Sequence, residues 1–289
     1  MRFFGAVIVA VMLAVPVFAQ APGGEGFGRE IEKQEAIYRS EGEKTPSGYT
    51  VDRTLGNYVD ALAAGFDGAL ARLGPQDRWL DIGAGKGQAI LDYFTAKYDA
   101  DHPQFRQQRG TKARVVAMSI EDRRTPEWQA RAASLGNNQL QYLFDRRLRD
   151  YSAGEIGQFQ VITDVIGGFS YTTDLTLYMQ KVLGLLAVGG NFFSVLQDVH
   201  SEEGTNQPYY DKSPYLTEIK TAQGEEVKIC AWLKSIACVE VTCELKKGWK
   251  PPVEAFRVKK QCEEVTVPSL TPVHYQSGTP PERRYVTTN

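Results

Sequence analysis

The segment Leu80–Gly87, "LDIGAGKG", places three glycines in five positions behind an aspartate. An apolar pair, Trp79-Leu80, leads into Asp81, and the helix-like "QAILDYF" follows. Glycine weakens strand and helix interiors, so three together need a reason. A tight turn, a close backbone approach to a ligand, or a helix packed hard against a strand would each supply one. The order strand, glycine-rich turn, helix is the context in which a nucleotide-type ligand meets a helix N-terminus. The dinucleotide fingerprint GxGxxG would need glycine at position 88, which is Gln88; the pattern here is DxGxGxG.

Working outward, elements alternate. Leu55 to Leu73 carries Tyr58, Leu62, Phe66, Leu70 and Leu73 at helical spacing and predicts one amphipathic helix, stopped by Gly74-Pro75. Strands are expected at 78–82, 113–120, 140–144, 159–166 and 191–197, with helices at 88–98, 125–135 and 175–186 between them. "EEVKICAWLKSI" (225–236) reads as a helix. "CVEVTCEL" and "VEAFRVKK", joined by "KKGWKPP", read as an antiparallel hairpin. The whole predicts a doubly wound α/β fold: a mostly parallel, seven-stranded sheet with a C-terminal antiparallel hairpin.

In this order the chain resembles the class I S-adenosylmethionine (SAM)-dependent methyltransferases. "WLDIGAGKGQAILDYF" is similar to their first motif, "YLFD" to a strand ending in an acid, and 159–196 to their fourth strand, helix and fifth strand. The resemblance covers roughly Leu55 to Lys260. It implies SAM as cofactor. Gly83, Ala84, Gly85 and Gly87 would wrap its methionine part, with Asp81 near the amino group, and Asp145 would hold the adenine amino group. Asp164, at the end of the fourth strand, would face cofactor and acceptor. The family's ribose-binding acid would fall on Ser119, so Glu121 is expected to take that role through a shifted strand end. As alternatives, the turn exists for packing alone, and Asp145 and Asp164 merely cap turns.

Methyl transfer from a sulfonium mainly requires donor and acceptor to be positioned, and a base only if the acceptor must lose a proton. The resemblance therefore implies no universal catalytic residue. Asp164, Tyr209 and His200 are the candidates here, the last two equally readable as ordinary loop residues. The Asn/Asp-Pro-Pro-Tyr motif of amide and adenine methylation does not occur. The acceptor is a small molecule or a protein. A net charge of -2, with 42% hydrophobic and 24% charged residues, describes a folded chain with no field to attract nucleic acid. The three histidines are far apart, and no cysteine spacing suggests a metal.

The N-terminus reads as an address. Arg2 precedes the apolar run Phe3 to Phe18, shorter than the roughly 20 residues of a membrane span, and small-residue cleavage sites follow. A signal peptide over 1–21 directs export to the periplasm or beyond; an uncleaved anchor in the inner membrane, through residues 3–18, and a buried helix of the fold are the alternatives. Residues 22–54 form a linker and short helical segment, 55–266 the SAM-binding domain, and 267–289 an extended tail. Cys230, Cys238, Cys243 and Cys262 are an even set that export would permit to pair. A hairpin turning at Lys247 to Pro252 sets Cys238 opposite Cys262 and predicts that disulfide, with Cys230 and Cys243 paired or free. Export also sets the domain apart from cytoplasmic SAM, which leaves an exported binding or interaction module without methyl transfer as the alternative function. Mass spectrometry of the native N-terminus is expected to find a start near Gln20 or Pro22; an intact Met1 in the membrane fraction would favour the anchor.

Overall fold

The computed structural model describes residues 53–95, 113–136, 138–197, 217–246, 253–272 and 283–288. Its centre is β1 (Arg78–Ile82), flanked in parallel by β2 (Arg114–Met118) and β4 (Phe159–Val165). β3 (Leu140–Leu143) extends the sheet beyond β2, and β5 (Leu186–Gln197) extends it beyond β4, both in parallel. The apolar runs of β1, β2 and β4 suit strands covered on both faces. β8 (Val239–Lys246) and β9 (Val253–Lys260) then close the sheet as the expected hairpin, with β9 antiparallel to both β5 and β8. The seven strands lie in the order β3-β2-β1-β4-β5-β9-β8, and the winding reverses between β1 and β4.

Helices cover both faces. On one side α1 (Leu55–Ala61), α2 (Phe66–Ala71), α3 (Gln88–Tyr93) and α4 (Pro126–Leu135) bury Tyr58, Phe66, Tyr93 and Trp128 against Trp79, Val115 and Phe193. The short α5 (Ala153–Ile156) precedes β4. On the other side α6 (Gly168–Tyr171), α7 (Leu175–Leu185) and α8 (Ile229–Lys234) bury Phe169, Met179, Leu183 and Trp232 against Leu80, Ile162, Phe192 and Phe256.

The first expected helix is two helices. Leu62 is extended, and Gly65 adopts φ +92°, a left-handed conformation that breaks the helix at little cost only for glycine. Leu62 and Phe66 stay buried on either side of the break, which is why the helical period survives it. The helix expected at 225–236 shortens to α8, and Glu226-Val227 is β7. β5 begins five residues earlier than expected, at Leu186, and runs through Gly189-Gly190 with an irregular register against β4.

A second sheet carries no sequence signal. β6 (Thr217–Lys220) pairs antiparallel with β7 and parallel with β10 (Arg283–Val286), a strand of the extended tail. Arg283 is fully buried; it donates to the Phe169 carbonyl (2.7 Å), the Thr172 carbonyl (3.3 Å) and the Thr217 hydroxyl. The Tyr285 hydroxyl also donates to the Thr172 carbonyl (2.6 Å). The tail thus ties down the loop that follows β4.

Both cysteine pairs are disulfides. Cys238–Cys262 spans the open end of the hairpin (Cα–Cα 5.7 Å), as the register requires, and Cys230–Cys243 joins α8 to β8 (6.2 Å). Arg283→Met would leave the Phe169, Thr172 and Thr217 acceptors without this donor. Thr172 keeps the Tyr285 hydroxyl as a donor, and a buried acceptor that loses its donor costs about 1–3 kcal/mol, so urea unfolding should show a loss of at least about 1 kcal/mol. A loss within about 0.5 kcal/mol, the range of ordinary surface substitutions, would mean the C-terminal strand does not hold the fold together.

Candidate functional site

Ligands of open α/β sheets sit outside the carboxyl ends of the strands where the winding reverses. Here that point lies between the turns after β1 and β4. Gly83, Gly85 and Gly87 have φ of +76°, +56° and +74°. The Gly83 and Ala84 amides donate to the Met118 carbonyl (2.9 and 3.0 Å), which fastens the turn to β2. The three glycines serve different needs. A Cβ on Gly83 would lie 2.9 Å from the Gly167 Cα, so the two turns touch there. A Cβ on Gly87 would enter the buried Trp128 ring. Gly85 forms the half-exposed tip, its carbonyl accepting from the Tyr142 hydroxyl. The Gly85 and Lys86 amides have no acceptor among the described residues. Packing therefore explains Gly83 and Gly87, and the free amides at the tip are what a ligand could use.

Asp81 lies beneath the turn, fully buried. Its carboxylate accepts from the Tyr58 hydroxyl (2.9 and 3.1 Å) and the Thr163 hydroxyl (2.7 Å), and the Trp79 indole donates to Thr163 (2.8 Å). Burial pushes the Asp81 carboxyl up to about 7 despite these donors. Asp164 is equally buried, on the opposite face of the sheet. It accepts from the Gly167 amide (2.7 Å), the Phe169 amide (2.8 Å) and the Tyr178 hydroxyl, and burial raises it to about 6. Both carboxylates are thus engaged by the protein's own donors.

Asp164 holds a strained corner. Ile166 has φ +55° and is buried, an outlier for a β-branched residue. The bonds from Gly167 and Phe169 to Asp164, and one from Arg53 to the Val165 carbonyl (3.3 Å), fix the backbone on either side of it. Strain of this kind persists only where the surroundings over-determine it, and it concentrates at ligand sites.

The outer candidates are more open. The Asp145 amide donates to the Ile120 carbonyl (3.0 Å), so the ends of β2 and β3 meet, with Asp145 itself at φ +62°. Glu121 forms an ion pair with Arg123 (2.6 Å), and Asp122 with Arg124 (2.6 Å). Glu121 and Asp145 are both half-buried, and their strands end beside the turn. Ala84 is buried. Tyr209 and His200 lie outside the described residues. Sequence reasoning missed Tyr58, Thr163 and Tyr178, the donors to the buried acids. Tyr58 was visible only as one member of an apolar helical face. It also missed Ile166, whose strain no residue pattern announces.

No family model matches the chain, and no curated protein does. Among solved structures it is similar to the 1,6-didemethyltoxoflavin-N1-methyltransferase of Burkholderia thailandensis, at 14% identity over 86% of this chain and 94% of that one, with a TM-score of 0.47. It is also similar to the antibiotic-resistance methyltransferase Kmr, at 14% identity over 75% of this chain and 97% of that one, TM-score 0.40. A third, a geranyl diphosphate methyltransferase in complex with geranyl diphosphate and sinefungin, is 18% identical over 45% of this chain, TM-score 0.31. The chain spans 42% of that protein's length.

The buried acids set a pH dependence. An acid whose folded pKa is raised binds more protons in the native state, so its contribution to stability is lost as pH rises from the unfolded value, about 4, towards the folded one. Stability should fall between about pH 4 and the values near 6 and 7 of Asp164 and Asp81. Asp81→Asn should flatten that fall. Equal slopes for wild type and variant in thermal melts across this range would show that Asp81 is not a buried titrating group.

Proposed function

We propose that the chain is a SAM-dependent methyltransferase acting on a small-molecule or protein acceptor. The observation that carries this reading is the DxGxGxG turn at the switch point. Its three glycines have positive φ, and its tip offers two amides with no acceptor among the described residues. The resemblance along Leu55 to Lys260 supports the reading. In it, Gly85 and the turn backbone receive the methionine part of the cofactor. Glu121 accepts from the ribose hydroxyls once it leaves Arg123, and Asp145 accepts from the adenine amino group. Asp81 and Asp164 act from below, Asp81 by holding the β1 turn in place and Asp164 by holding the Ile166 corner against Gly83.

The chemistry is an in-line displacement. A nucleophilic atom of the acceptor attacks the sulfonium methyl, the C–S bond breaks, and the demethylated thioether leaves. A base would be needed only for an acceptor that carries a proton to be lost, and Tyr209 and His200 are the candidates for that role. The two disulfides support export to an oxidising compartment. Among the described residues no helix is long and apolar enough to cross a membrane. The same disulfides favour a second reading, a binding module of the same fold with no turnover, because a compartment that keeps cysteines oxidised does not make SAM.

Calorimetry on the purified protein is expected to give micromolar binding of SAM and of its demethylated product, about -8 kcal/mol. Gly85→Val should abolish binding in a chain that still melts cooperatively. Asp145→Asn keeps a residue that tolerates φ above zero and should weaken binding by about 1–3 kcal/mol. No heat with either ligand would end the cofactor assignment; binding without turnover of any acceptor panel would select the binding module.

A further inference from the structure

The two disulfides differ in what stands beside them. Among the described residues, one group of three side chains brings metal-ligating atoms together: Cys230, Cys243 and Glu254, whose sulfurs and one carboxylate oxygen lie within 4.8 Å of one another. Cys238–Cys262 belongs to no such group. The three residues come from three elements, α8, β8 and β9. In the hairpin register Cys243 faces Phe256 and Leu245 faces Glu254, so Cys243 and Glu254 are diagonal neighbours on one face. α8 lies against β8 and brings Cys230 to the same place. All three side chains are half-buried, sheltered by the sheet yet reachable by solvent.

While the sulfurs are bonded to each other they cannot ligate. Reduced, the same three positions hold two thiols and a carboxylate. Two thiolates and one oxygen are a donor set that suits zinc, with water as the fourth ligand in a tetrahedral site. We infer that Cys230, Cys243 and Glu254 form a zinc site in the reduced chain, and that Cys230 and Cys243 form a disulfide in the oxidised one. A thiol reductant converts the disulfide to two thiols and is itself oxidised to a disulfide. Zinc(II) then forms two bonds to sulfur and one to oxygen, and the two thiol protons pass to solvent. Zinc–sulfur bonds of about 2.3 Å require the sulfurs to part, which rotation about the Cα–Cβ bonds allows across a Cα–Cα distance of 6.2 Å.

The two states exclude each other. Metal bound to the reduced form makes the disulfide easier to reduce, and closing the disulfide expels the metal, because linkage is reciprocal. In a chain made in a reducing compartment and then exported, zinc would keep this pair from closing early, and exchange with a disulfide oxidant, itself reduced to a dithiol, would close the pair and release the metal. The inference does not depend on the methyltransferase reading, since neither α8 nor the hairpin contributes to the cofactor turn.

The test is cobalt(II) titration of the full chain after reduction with a phosphine and its removal. The reduced wild type should take up one equivalent with thiolate-to-cobalt charge-transfer absorption, and zinc should displace it. The oxidised chain should take up none. Cys230→Ser and Cys243→Ser should abolish the signal, Glu254→Gln should weaken binding about tenfold or more, and the Cys238→Ala/Cys262→Ala double variant should retain it. Circular dichroism separates binding from unfolding. If the reduced chain loses its fold, cobalt should restore it in wild type more readily than in Glu254→Gln. Equal uptake by Cys230→Ser, Cys243→Ser and the Cys238→Ala/Cys262→Ala variant, indifference to Glu254→Gln, or no uptake by a reduced and folded chain would each overturn the inference.

Discussion

A carboxylate removed from water sits beneath the turn after β1. Asp81 can be buried there because Tyr58 reaches it from α1 and Thr163 from β4. Without donors a buried carboxyl costs several kcal/mol even when neutral, and its charged form costs more still. The three residues join a helix of one layer to two central strands at the point where the winding reverses. The Gly83 turn follows two residues later, tied to β2 through the Met118 carbonyl. Its position is therefore set by groups that are themselves out of reach of any ligand.

A parallel arrangement lies on the other face. Asp164 fixes the Ile166 corner through two amides and is itself met by Tyr178 of α7. Beyond the corner, Arg283 and Tyr285 of the C-terminal strand hold the carbonyls of Phe169 and Thr172. Gly83 and Gly167 then let the two turns touch without a side chain between them. The rim at the carboxyl end of the sheet is thus rigid at β1 and β4. At β2 and β3 it is more open, and there the half-buried Glu121 and Asp145 stand. A rigid turn beside accessible acids is the arrangement expected of a site that orients a ligand by its backbone and selects it by its edges.

Much of this was legible in the sequence for definite reasons. Period-2 and apolar runs marked β1 to β5 because buried parallel strands need them, and the hairpin register followed from its turn, which in turn paired Cys238 with Cys262. The break at Gly65 was not legible, because burial preserves the helical spacing of Leu62 and Phe66 on both sides of it. The second sheet was not legible because β6 and β10 are short and distant in sequence, and their pairing is a tertiary event. At the site, the glycines were found but their division of labour was not: Gly87 answers to Trp128, more than 40 positions away. The donors to Asp81 and Asp164 looked like ordinary core residues, since a tyrosine on a helix shows its hydroxyl partner only when the fold is closed.

The central claim is that the Gly83–Gly87 turn, with the ends of β2 and β3, receives S-adenosylmethionine. Amide chemical shifts of the isotopically labelled protein on addition of S-adenosylhomocysteine test it most directly. The account predicts that the Gly85 and Lys86 amides move first and furthest, followed by residues around Glu121 and Asp145, while the β8–β9 hairpin stays still. Shifts absent from the turn, or confined to the hairpin and the second sheet, would contradict it.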